Sequence, residues 1–175
     1  MNGHGLDLNS LSRRATFQGV IIVGLVIIFN MGLAVYMAAT PGARRPFPVE
    51  RFEWLFIIAT GLAIISAALA FYVKYRLFFR PMISSKESFA FDYTRRTLKN
   101  NSVVCLFVEI IPILGLILFM KGGTLELSVI YNLVTAVLFV FARPTAGFLK
   151  NSLEAQERFV YEGRFLIEKK SMFGN

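Results

Sequence analysis

Residues 16–40 read TFQGVIIVGLVIIFNMGLAVYMAAT, a run without one charged side chain. As a helix rising about 1.5 Å per residue, it more than crosses a hydrocarbon core about 30 Å thick. Three further runs have the same character, so the spans are expected at Thr16 to Ala39, Phe52 to Val73, Val103 to Met120 and Leu125 to Ala142. A hydrogen-bonded helix is the one way an open chain satisfies its backbone in lipid. The expected fold is therefore all-α, a polytopic membrane protein with four transmembrane helices.

Composition agrees. Hydrophobic residues make up 55% of the chain, charged residues only 17%, and the mean hydropathy is +0.58; a soluble domain carries about 25% charged residues. Arg13 and Arg14 precede the first run, as the basic part of a cleaved signal peptide would. The run is longer than a signal's apolar segment and lacks a convincing small-x-small site after it, so it is read as a retained span.

The net charge of +8 does not point to nucleic acid, because basic residues beside spans act as topology signals and contacts to anionic lipid headgroups. Arg13 and Arg14 precede span one; Lys74, Arg76, Arg80, Lys86, Arg95, Arg96 and Lys99 separate spans two and three; Arg143, Lys150, Arg158, Arg164, Lys169 and Lys170 follow span four. Only Arg44, Arg45, Arg51 and Lys121 fall on the other side. This imbalance predicts both termini inside, in a bacterial cytoplasmic (inner) membrane. It divides the chain into a cytoplasmic tail (1–15), a four-helix domain (16–142) with a cytoplasmic loop (74–101), and a cytoplasmic amphipathic tail (143–175).

The connections carry their own signals. Pro41, Pro46 and Pro48 stop the first helix and favour extended backbone, while Phe52 and Trp54 open span two as an aromatic belt. Ala59, Ala63 and Ala67, with Ser66 and Ala70 beside them, form a small-residue ridge that lets another helix approach closely. The stretch Ser88 to Thr94, SFAFDYT, alternates like a strand, but the basic and aromatic mixture around it is read as an interfacial segment. Asn100-Asn101-Ser102 matches a glycosylation acceptor on the side where that match says nothing. Gly122, Gly123 and Thr124 predict a tight hairpin whose threonine caps span four. Leu149, Leu153 and Val160 share one face of a cytoplasmic or interfacial helix ending near Gly163.

Within span three, Glu109 is the one carboxylate of an apolar run, and it lies eleven residues before Met120. That is about 16 Å from the end of the span, near mid-membrane. A carboxyl there is rarely incidental. No Lys or Arg lies at comparable depth in any span, so the economical structural reading is a protonated Glu109 bonded to Asn30, Asn132 or a backbone carbonyl. Asn30 itself reads as an interhelical hydrogen bond in preference to part of a polar pathway. Pro112 cannot donate to the Val108 carbonyl and breaks the helix ladder locally, and Gly115 removes a side chain where close packing or bending is wanted.

The segment VEIIPILGLIL, from Val108, resembles the ion-binding outer helix of the rotary ATP synthase proteolipid, subunit c, where a membrane carboxylate precedes small or apolar residues, often Pro, and a Gly-Leu pair. The resemblance implies that Glu109 carries a proton or cation. Spans two and three would match the two proteolipid helices around a basic cytoplasmic loop, with spans one and four added outside them.

Cys105 is the only cysteine and His4 the only histidine, so neither an internal disulfide nor a Cys/His metal site is expected. There is no paired-carboxylate site within the spans and no phosphate-binding glycine loop. The functional expectation is a non-enzymatic membrane protein without cofactor, packed in a larger complex or as a homo-oligomer. The alternative is a proton- or cation-translocating subunit using Glu109.

Overall fold

The computed structural model describes residues 6–40, 42–43 and 46–166. His4, Pro41, Arg44, Arg45, Lys169, Lys170 and Gly174, which entered the sequence reading, lie outside the described residues. Among the described residues five helices follow one another: α1 (Leu8–Ala39), α2 (Val49–Phe78), α3 (Phe89–Met120), α4 (Leu125–Ala142) and α5 (Ala146–Tyr161). The first four are long and apolar enough to cross a membrane. The described residues are all-helical in their regular structure, and four helices of this length and apolarity are those of a multi-pass membrane protein.

Helix α3 is the central post. At one end Asn101 donates to the Ala15 carbonyl, and at the other Ala34 and Met37 pack on Leu116 and Phe119, so α1 runs parallel to α3. Helix α2 runs antiparallel, with the Asn100 amide on the Leu77 carbonyl, the Ser66 hydroxyl on the Phe107 carbonyl, and Ala59 packed among Ile111, Leu118 and Tyr131. The small-residue ridge therefore divides: Ala59, Ser66 and Ala70 are buried in the bundle, while Ala63 and Ala67 line an apolar groove between α2 and α4. That groove, about 580 Å³, is floored by Ile111, and the Thr60 and Tyr131 hydroxyls meet across it at 3.0 Å.

The hairpin from α3 to α4 forms as the sequence predicts. Thr124 accepts from the Leu127 amide, and Gly122 takes a positive φ of 128°. Gly123 is needed for a different reason: its amide bonds the Leu118 carbonyl, and a β-carbon there would lie 3.0 Å from that same oxygen.

The main departures lie in the segment read as a loop. Helix α2 continues five residues past Val73, and α3 begins at Phe89, so SFAFDYT is not a strand but mostly the first turns of α3. The alternation misled because Phe89 and Tyr93, four residues apart, share one helical face and are buried in a cluster with Phe78, Met82, Ile83, Leu149 and Leu153. Helix α5 supplies the last two of these residues, as its apolar face requires. It is fastened by Gln156, whose side chain accepts from the Met82 amide and donates to the Phe78 and Arg80 carbonyls, while Tyr93 donates to the Leu149 carbonyl. This end of the bundle thus carries a packed cap.

Candidate functional site

The residues singled out around Glu109 sit on one helical row. Ser102, Cys105, Glu109, Pro112 and Leu116 recur every three or four positions along α3. The row faces α1: Gln18 donates to the Ser102 hydroxyl at 2.7 Å, and a β-carbon on Gly19 would lie 3.3 Å from the Cys105 sulfur. The neighbouring row, Leu106, Ile110, Ile113 and Ile117, is exposed on the outside of the bundle. Glu109, on the first row and next to Ile110 of the exposed one, is half-buried. Its Oε1 is buried and has no hydrogen-bond partner among the described residues.

Neither asparagine reaches it. Asn132 donates to the Ser128 carbonyl at 2.8 Å and lies 3.5 Å from the Met31 sulfur. Asn30 is buried on the α1 face that includes Gly19, Val23 and Ala34, and its Nδ2 has no partner among the described residues. The register explains the miss. Ala15 lies beside Asn101 and Ala34 beside Leu116, so Asn30 stands roughly 4–11 Å beyond Glu109 along the bundle at about 1.5 Å per residue. The unpartnered Asn132 Oδ1 and Ser128 Oγ belong to the same level, because Asn132 touches Met31. Glu109 and the two asparagines therefore occupy separate positions in the α1–α3–α4 core.

Pro112 and Gly115 are both buried, and their roles differ. The helix runs through Pro112 without interruption, so the break in the ladder is confined to the bond Pro112 cannot donate to the Val108 carbonyl. Gly115 is a packing glycine: a β-carbon there would lie 2.5 Å from the Tyr131 β-carbon, so α3 and α4 touch backbone to side chain at this point. Of the glycines in span one, only Gly19 serves the bundle interior, since a β-carbon added to Gly24 or Gly32 would meet nothing within 4 Å.

Several buried polar residues were missed by reading the sequence. Lys74 bonds the Phe141 and Arg143 carbonyls at 3.3 and 3.2 Å, closing the free carbonyl end of α4, with its ammonium 4.5 Å from the Phe148 ring centre. Asn100 and Asn101, assigned to the loop and to an accidental glycosylation match, are interhelical clamps that hold α3 to α2 and α1. A signal existed only for Gln156, which falls on the same helical face as Leu149, Leu153 and Val160.

Among the described residues no group of three His, Cys, Asp or Glu side chains is placed to hold a metal ion. No protein-family description matches the chain, and neither the curated proteins nor the solved structures include a significant match to it.

Proposed function

We propose that this chain is a non-enzymatic integral membrane protein that works by assembling with other membrane chains, either further copies of itself or unrelated subunits, with Glu109 at the contact. One observation carries the reading: a carboxyl near mid-membrane has an oxygen buried without a donor and lies beside a row of outward-facing aliphatic side chains. A carboxyl left against acyl chains costs about 2.5–3.5 kcal/mol or more on insertion scales for charged residues. A helix from a neighbouring chain that packs on the outward-facing row and brings a hydrogen-bond donor to the exposed part of this half-buried carboxyl removes that cost. The charge imbalance along the sequence orients the assembly with both termini and α5 on the cytoplasmic side of a bacterial inner membrane.

The test is the mass of the protein extracted in mild detergent, compared among wild type, Glu109→Gln and Glu109→Leu. Wild type and Glu109→Gln are expected to run as the same assembly, because the amide keeps a polar contact, and Glu109→Leu as a smaller species. Wild-type protein that is monomeric in its native membrane overturns the proposal.

The second reading is proton or cation exchange at Glu109, supported by the proteolipid-like VEIIPILG segment and by the same unpaired oxygen. It predicts carbodiimide labelling of Glu109 that varies with pH and is slowed by a bound cation. Absence of labelling under conditions that modify a known proteolipid removes this reading and leaves the assembly reading standing.

A further inference from the structure

At the end of the bundle that carries α5, a groove of about 470 Å³ runs between the start of α1 and the corner where α4 turns into α5. It is a built feature. The Ser12 hydroxyl donates to the Pro144 carbonyl at 2.9 Å and fixes α1 against that corner. Two guanidinium groups, Arg13 and Arg143, line it, and no carboxylate does. Among the described residues neither arginine forms an ion pair. Thr145 adds a hydroxyl whose oxygen already accepts from the Phe148 amide, so its proton is free to be donated. One to two turns further along α1, the wall becomes Phe17 and Val20, both exposed to the outside of the bundle.

The order of these groups along the membrane normal defines a ligand. Cations and a hydroxyl donor lie at the membrane boundary, and an apolar wall leads from them toward the bilayer centre. A guanidinium presents a planar fork of donors matched to phosphate oxygens, and two of them prefer a headgroup with net negative charge. A free phosphate would leave the Phe17 and Val20 wall unused, whereas a diacyl phospholipid lays an acyl chain along it.

We infer that this groove is a binding site for an anionic glycerophospholipid, with its phosphate held between Arg13 and Arg143 and one acyl chain against Phe17 and Val20. The site is independent of Glu109, so it does not depend on the assembly reading.

The experiment uses delipidated full-length protein in detergent, with bound lipid counted by native mass spectrometry after addition of phosphatidylglycerol or phosphatidylcholine of matched acyl chains. Phosphatidylglycerol is expected to be retained in preference. Retention should weaken roughly thirtyfold in the Arg13→Gln, Arg143→Gln double variant, the scale set by two basic contacts to anionic lipid. The charge-matched control Lys150→Gln, Arg158→Gln, on α5 positions away from the groove, should retain it. Val20→Trp, at an exposed site, should fill the wall and expel the lipid with both arginines intact. Equal retention of the two lipids, equal loss in the control, or full retention in both groove variants overturns the proposal. Displacement of the lipid by equimolar inorganic phosphate overturns it in favour of a phosphate site.

Discussion

At the residue scale, two glycines in apolar runs look alike in the sequence and do opposite things. Gly115 stands where α3 meets the Tyr131 side chain, and an added methyl would be 2.5 Å from the tyrosine β-carbon and 2.9 Å from its γ-carbon. Those atoms belong to the root of the side chain and cannot swing away. Gly115→Ala must therefore push α3 from α4, at a cost of about 1–3 kcal/mol. Gly24→Ala meets nothing within 4 Å and should be neutral or slightly stabilising, because alanine loses less backbone freedom in a helix. Thermal unfolding in detergent compares the two; equal behaviour would show that the α3–α4 contact is looser than described. The same distinction explains what could be read at this scale. Glu109 is legible as a charge in an apolar run, and its depth follows from counting. Its partners are not legible, because whether Asn30 or Asn132 reaches it depends on the register between helices, which no periodicity within one helix encodes.

At the scale of single elements, the apolar spans of α1 and α4 were legible because their ends coincide with proline, glycine and charge. Helix α3 was only half legible: its first turns, from Phe89 to Ser102, are polar and outside the apolar span, so nothing in their hydropathy distinguishes helix from loop. What starts this helix is local. The Asp92 carboxylate accepts from the Ser84 amide and the Ser88 hydroxyl, both at 2.8 Å. Partial withdrawal from water alone would raise the Asp92 carboxyl, but these bonds, aided by Arg96, outweigh it and hold the group below its ordinary value. A carboxyl depressed in the folded state stabilises the fold above the unfolded value, about pH 4, and that contribution is lost as pH falls through the folded value. Acid unfolding below about pH 4 should therefore be less steep in Asp92→Asn than in wild type. Identical acid limbs for the two proteins would remove Asp92 from the account of how α3 begins.

At the scale of the whole molecule, the four spans hang on α3, and the cap made by α5 and the 79–88 connection closes one end of the bundle. The cap resembles the core of a small soluble domain: Leu149 is fully buried among Phe78, Met82, Phe89 and Tyr93, and Gln156 satisfies two backbone groups of the connection and the last carbonyl of α2. The bundle within the membrane has no hydrophobic effect between its helices and is held by close packing and hydrogen bonds. The cap does have that effect, so a truncated core side chain should act locally and strongly. Leu149→Ala is expected to lose about 2–5 kcal/mol from the cap. At the lower end of that range, local opening becomes roughly thirtyfold more frequent. Lys86 lies in the connection that the cap holds down, and unlike Arg80, which precedes Pro81, it is followed by a bond that trypsin cuts, so limited trypsin digestion of the membrane-embedded protein reads the opening directly. Cleavage after Lys86 should accelerate in the variant, while fragments that would require a cut within the spans stay absent. If cleavage at Lys86 does not change, the connection is held by α2 and α3 alone, and α5 lies on the bundle without closing it.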